Sequence, residues 1–472
     1  MTSITTNSFS ENTFRLLKKD LDSASTPYHL AYSRVDPLTE GEDIKSDSFQ
    51  EGVRHTMLAV KTVGGSSYVV PSNSWNSGTI YPSYDNDLDI GFYVVNSANE
   101  VFVCVETGKF TDGTQVPSIV EPSSILADAF KVGVSKGKTF RTTDQYKWRF
   151  LYPLGNSAVA TFKTNDWLPV KTITDTSVFL PIPQESIQRN LQDSSVGGEI
   201  INIQIDSGGY GFSNTSNDIA LTVEGNGTGA SFTAEVDANK IVRIRVDSDA
   251  AGTFSHGSGY DYASIKVTGG DGVGAVLRPI IAPYGGLNAN PSRTLKTKYF
   301  MLQTDVAGDE FDTILAENDF NQVSIVKGFK TAADPTVDFT QNTANGAKYF
   351  SGISASGTFT EDATITNSGE TAKAKVVFHD TVNNRLYYYQ DVTTGFGEWT
   401  VDPTPANNSV VQTIPSSVEA TYVAKVEPTF NPYTGEILYI NNVNSLGLGT
   451  VTEGITRADT QTEDIRIVIQ LG

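Results

Sequence analysis

Residues 131–139 read KVGVSKGKT and offer two chemistries at once. Gly133, Ser135 and Gly137 have the G-x-S-x-G spacing of a hydrolase elbow, in which a turn from strand to helix exposes the serine hydroxyl. Here a predicted helix precedes the turn and a predicted strand follows it, the reverse order. Gly137-Lys138-Thr139 also resembles the end of a phosphate-binding loop, but the glycine required five residues before Gly137 is Val132. No helix follows to turn its N-terminus toward a phosphate. A polar surface loop accounts for the stretch.

Other chemistry-bearing residues fare similarly. Asp85, Asp87 and Asp89 alternate like the first ligands of a calcium loop, but Ile90 stands where the turn needs glycine and Asn96 where it needs glutamate. An acidic surface turn is the expectation. His29, His55, His256 and His379 are far apart and show no ligand spacing. The stretches Gly225–Gly229 and Gly270–Gly274 are spaced G-x-G-x-G and follow strands with no helix to open, so they read as turn glycines and not as a dinucleotide fingerprint. No nucleophile, base and oxyanion donor come together. The chain therefore reads as a non-enzyme, with no catalytic residues, cofactor, metal site or small-molecule substrate.

The elements that position these residues follow from composition. The chain has 472 residues, 41 of them glycine, and is 10% aromatic. With its many Ser, Thr and Asn residues, this is the mixture of a mostly-β protein with abundant turns. The formal net charge of −20 argues against a general binder of nucleic acid or anionic membrane, and leaves room for a small local basic patch. Cys104 is the one cysteine, so neither an intrachain disulfide nor a cysteine-based zinc site can form. The start lacks the pattern of a signal peptide, and no run of 18 apolar residues marks a spanning helix. The expectation is a soluble protein assembled in a reducing cytoplasm.

Three helices are predicted. One is capped by Ser10 and carries Phe14, Leu17 and Leu21; one covers Phe49–Val63; a short one follows Pro122 through Phe130. Strands dominate elsewhere. Val101, Val103 and Val105 alternate with Phe102 and Cys104, and Tyr146–Tyr152 has the aromatic content of a buried or interface strand. Ile465, Ile467, Ile469 and Leu471 form one face of a C-terminal strand. Ala374–His379 and Leu386–Val392 read as a hairpin around Asn383-Asn384.

Residues 196–285 contain an internal repeat. Glu199–Ser207 reads EIINIQIDS and Lys240–Ser248 reads KIVRIRVDS. Each is followed by a Gly-Tyr pair (Gly209-Tyr210, Gly259-Tyr260), a short strand (Leu221–Val223, Ile265–Val267) and G-x-G-x-G-A. Two copies of a small β unit are expected to pair and bury a face that neither could bury alone. A second Gly/Thr/Asn-rich β stretch, residues 335–425, is bounded by Asp334-Pro335 and Glu427-Pro428.

Several segments carry a resemblance. They are Gln145–Tyr152 with Asp166–Val170, Glu317–Val326, Asn431–Ile440 and Arg457–Gln470, together with Tyr28–Arg34, Trp75 and Tyr81-Pro82. In this order they resemble the baseplate wedge subunit of T-even-like contractile-tail bacteriophages, the product of gene eight. The likeness covers about residues 10–190, 293–330 and 425–472. It implies a mainly β protein: a β-sandwich core with a few helices in loops, here with two inserted small β domains. The core would comprise 1–195, 286–334 and 426–472, and the inserts 196–285 and 335–425. A Gly-rich run, Leu446–Thr450, departs from the family's ending.

The resemblance further implies a structural subunit of a phage tail baseplate wedge, located in the virion and assembled in the host cytoplasm. It would act through homodimerisation and through contacts with other wedge proteins, with no nucleic acid, membrane insertion or cofactor. Tyr and Trp make good interface anchors. Tyr146, Trp148, Tyr152 and Trp167 are therefore interface candidates, with core packing as the competing role. The alternatives are a tail-fibre or adhesin-type glycan-binding protein, suited by Gly-rich β repeats, and a polysaccharide depolymerase with paired carboxylates.

Overall fold

The computed structural model describes residues 7–21, 27–34, 47–124, 139–174, 180, 182–213, 219–247, 255–308, 310, 313–315, 319–442, 455–456, 458 and 460–470. The predicted helix after Pro122, most of KVGVSKGKT, and Leu446–Thr450 lie outside the described residues. The protein is mainly β, with several antiparallel sheets. Among the described residues no helix is long and apolar enough to cross a membrane. The chain divides into two compact units. One takes Met1–Arg15, Ser67–Met301 and Val468–Gly472; the other takes Leu16–Ser66 and Leu302–Ile467.

The first unit holds a four-stranded antiparallel sheet ordered Tyr93–Val95, Glu100–Glu106, Lys147–Pro153, Thr139–Arg141. The alternation in Glu100–Glu106 divides between two cores. Val101, Val103 and Val105 join Tyr93, Leu151 and Tyr152 in one cluster. Phe102 and Cys104 join Val94, Trp148 and Phe150 in the other. A strand buried on both faces needs apolar residues at successive positions, and Val101–Val105 has them. The helix Pro183–Asp193 contributes Leu191 to the second cluster.

Residues 200–281 of the same unit form a module with its own core around Ile200, Phe212, Phe232, Ile241, Tyr260 and Leu277. The two sequence copies exchange strands. Ile200–Tyr210, which opens the first copy, pairs with Val273–Ile281, which closes the second. Phe232–Asp237, closing the first, pairs with Lys240–Val246, opening the second. The middle strands Ile219–Gly225 and Ala263–Gly269 pair with each other. Each copy completes the other, so the apolar alternation of both is buried in one cluster.

The backbone repeats in step. Gly209 and Gly257 have φ of 65° and 70°, Gly211 and Gly259 78° and 74°, Gly229 and Gly274 79° and 78°. These left-handed conformations favour glycine. They align Phe212, not Tyr210, with Tyr260, which corrects the Gly-Tyr correspondence expected from the sequence. The Phe212 N–H donates to Asn239 O in the second copy, and the Tyr260 N–H to Gly198 O at the start of the first. Asn239 and Gly198 are themselves matched at φ 63° and 67°.

The second unit holds a five-stranded antiparallel sheet ordered Thr343–Asn345, Met57–Thr62, Tyr28–Ser33, Gln322–Lys327, Glu436–Asn442. The helix expected over Phe49–Val63 is shorter, Asp47–His55, and Met57–Thr62 is a strand. Thr56 ends the helix, bonding back to Gly52 O through both its N–H and its hydroxyl. Met57, Leu58, Ala59 and Val60 are all buried, a continuous run and not a helical stripe. The first helix starts at Asn7, before the expected cap at Ser10.

A separate eight-stranded sheet covers residues 348–426. It includes the expected hairpin: Lys373–Asp380 pairs with Arg385–Tyr389, and Asn384 takes φ 53° in the turn. Its core is aromatic. Phe350 stacks on Tyr388 at 4.4 Å and on Tyr422 at 4.3 Å between ring centres, with Trp399 edge-on. The C-terminal strand Thr462–Gln470 forms as expected, with Ile467 buried and Ile465 and Ile469 half-buried; Leu471 is outside the described residues.

Candidate functional site

Three of the four interface candidates are core residues. Tyr146, Trp148 and Tyr152 are fully buried. They sit on or beside Lys147–Pro153, a strand enclosed on both faces. Tyr146 stacks on Trp148 at 5.6 Å and donates its hydroxyl to Val116 O at 2.7 Å; Tyr152 donates to Pro169 O at 3.0 Å. A ring enclosed by its own chain has no face for another. Trp167 is half-buried, its ring 4.7 Å from that of Tyr299.

The acidic turn is occupied from within. Asp85 accepts two hydrogen bonds from the Arg278 guanidinium, at 3.1 and 2.7 Å. Asp89 pairs with Lys298 at 2.8 Å, and Asp87, largely exposed, lies 3.9 Å from the same Arg278 guanidinium. All three carboxylates thus face cations of the chain itself. The Lys296 ammonium donates instead to the carbonyls of Asp85 and Asn86, both at 2.7 Å, and to Leu88 O. It also lies over the rings of Tyr84 and Phe92. The turn thus wraps a cation supplied by the chain, with Lys296 held at φ 52° to reach it. Arg278 holds the Asp85 carboxyl below its usual pKa. The sequence showed the acids; the lysine that answers them is far away along the chain.

The histidines take separate structural positions. His29 is buried against Phe329 and Phe339, with Nε2 3.1 Å from Gln341 O. His256 Nδ1 is 2.8 Å from Ile200 O. His379 Nδ1 accepts the Phe359 N–H at 3.1 Å. Burial lowers the pKa of each. Among the described residues no three His, Cys, Asp or Glu side chains are grouped to hold a metal ion.

His55 marks a cleft of about 340 Å³ in the second unit. At the end of the helix Asp47–His55 the Arg54 guanidinium donates to the carbonyls of Pro432, Thr434 and Gly435 at 2.7, 2.7 and 2.9 Å. His55 lies between two half-exposed rings, Phe396 at 4.7 Å and Tyr433 at 5.4 Å. Glu427, on the cleft wall, pairs with Lys425 and Lys348 at 3.2 and 3.5 Å. The cation and acid are engaged in holding the walls, which leaves an aromatic lip. No sequence spacing links its three rings, because three separate elements bring them together.

The chain matches no family model and no curated protein.

Proposed function

We propose that this chain is a structural subunit of a contractile phage tail, of the baseplate-wedge type. It acts by forming a homodimer and by being gripped by neighbouring wedge proteins, within the virion. Its function is affinity and geometry, not turnover.

One observation carries this reading most strongly. Three of the segments in which the wedge-family likeness resides lie side by side. Tyr28–Ser33, Gln322–Lys327 and Glu436–Asn442 are adjacent antiparallel strands, with Leu30 opposite Ile325 and Ile325 opposite Tyr439. Segments far apart in the chain thus build one sheet, its strands Tyr28–Ser33 and Gln322–Lys327 buried and Glu436–Asn442 at its edge. The long sequences between them fold as modules with separate cores, around Phe212 and around Phe350. Such a frame tolerates large additions, because closing a longer loop costs only ~0.6 kcal/mol per doubling of its length. The polar groups of the acidic turn and the cleft support the same reading: Arg54 and Lys296 hold backbone carbonyls, and Asp85 and Glu427 hold cations of the chain.

Light scattering of the purified protein tests the homodimer. The expected mass is twice 50.9 kDa. Obligate interfaces commonly bury more than ~2,000 Å² and persist at micromolar concentration. A monomer at that concentration overturns the dimer.

A further inference from the structure

A second cleft, of about 260 Å³, lies in the first unit, between the Pro82–Leu88 turn, residues 106–109 and the strand-exchanged module. Two carboxylates line it, and both are already answered. Glu106 pairs with Arg141 at 2.7 Å and Lys147 at 3.4 Å. Asp85 is held by both ends of the Arg278 guanidinium.

The two cations on the walls are less well served. The Lys109 ammonium has no hydrogen-bond or ion-pair partner among the described residues, although the side chain is substantially buried. Arg243 is 11% exposed at its side chain. Its Nη2 donates to the Lys109 carbonyl at 2.6 Å, so the guanidinium is fixed against the backbone of the very residue whose ammonium is unpaired. Nη1 is 3.5 Å from Glu235, which also pairs with Arg245. The buried Nε of Arg243 has no acceptor. A buried donor without a partner is costly and calls for an explanation. On the same walls are Asn202 and Gln204, whose side-chain NH2 groups donate to no acceptor among the described residues. Burial pulls the Lys109 pKa down; the Glu106 charge opposes this, and neighbouring Arg243 adds to it.

We propose that this cleft binds a small oxyanion-bearing ligand, with the Lys109 ammonium and the Arg243 Nε as its charged donors and Asn202 and Gln204 as its neutral ones. An oxygen on the ligand supplies the acceptor that Arg243 lacks and the negative charge that Lys109 lacks. The volume is roughly nine times the ~30 Å³ share of a water molecule, so an oxyanion carried on a sugar-sized body fits. A chain with net charge −20 repels anions at large, and this cleft makes a local exception.

Two probes separate the sources of such an oxyanion: inorganic phosphate and glucuronate, each titrated calorimetrically into the full-length protein at fixed ionic strength in chloride. Saturable binding of either, weakened at least tenfold in Lys109→Met and retained in Lys109→Arg, is expected. Stronger phosphate binding assigns a phosphorylated ligand, and stronger glucuronate binding a carboxylated sugar. A measurement on the wild-type protein avoids any folding defect. Reductive methylation of Lys109, followed by mass spectrometry, should slow at least threefold with the bound probe and stay unchanged with equimolar extra chloride. Equal binding by wild type and Lys109→Met, or no protection of Lys109 by either probe, overturns the site.

Discussion

The ring of Phe212 lies flat against Gly272, so close that a Cβ on that glycine would sit 2.3 Å from the ring. Tyr260 bears the same relation to Gly227, at 2.4 Å. Phe212 and Gly227 belong to the first sequence copy, Tyr260 and Gly272 to the second. Each copy therefore places its aromatic residue on the other's glycine, and the module's pseudo-symmetry extends from strand exchange to single side chains.

Gly272→Ala and Gly227→Ala should each destabilise the first unit by about 1–3 kcal/mol, the usual cost of overpacking. Neither glycine has a left-handed φ, so the cost is steric. Gly369→Ala is the control. Its added Cβ meets only Thr371 Cγ2 at 3.9 Å, and the change should be neutral or slightly stabilising. Urea unfolding curves of the three variants decide the matter. Unequal costs at 227 and 272 would contradict the reciprocal packing.

Lys296→Met should loosen the acidic turn. The substitution keeps the aliphatic contact with Tyr84 and Phe92 but leaves three carbonyls without their donor. A loss of about 1–3 kcal/mol is expected. Amide exchange should quicken at residues 85–90 more than in Glu100–Glu106.

The Arg149–Glu199 pair joins the four-stranded sheet to the strand-exchanged module. Both residues are buried and 2.8 Å apart. Glu199→Ala leaves a buried guanidinium unanswered and should cost about 3–5 kcal/mol. The double variant Arg149→Met/Glu199→Leu should recover most of it, because an apolar pair removes both desolvation penalties. A double-mutant cycle by thermal melting measures the difference.

Acid should weaken the second unit through His29. Burial holds its folded pKa below the usual value of 6.5, against the smaller opposing effect of its bond to Gln341. The unfolded chain therefore takes up the proton first. Stability is fully present above pH 6.5, declines as pH falls through that value, and stops declining below the folded pKa. Urea midpoints between pH 7.5 and 5 should fall less steeply in His29→Phe than in wild type.

Much of this was legible in the sequence where one periodicity stood alone. The alternation in Thr462–Gln470 and the Asn383-Asn384 turn formed strands as expected. Met57–Thr62 misled because Phe49, Val53, Met57 and Val60 fit a helical spacing, while Leu58 and Ala59 between them are just as buried. The aromatic run around Trp148 fits an interface or a core equally well, and only tertiary packing decides. Lys296 at the acidic turn, Arg243 at Lys109 and Tyr433 at His55 were invisible, since nothing local requires a partner so distant along the chain.

The direct test of the structural role is where the chain sits in an intact particle. Gold-labelled antibody against this chain should decorate the end plate of the contractile tail, on virions that have never been disrupted. Label confined to the fibres, or its absence from virions that contain the chain by mass spectrometry, would contradict a place in the baseplate wedge.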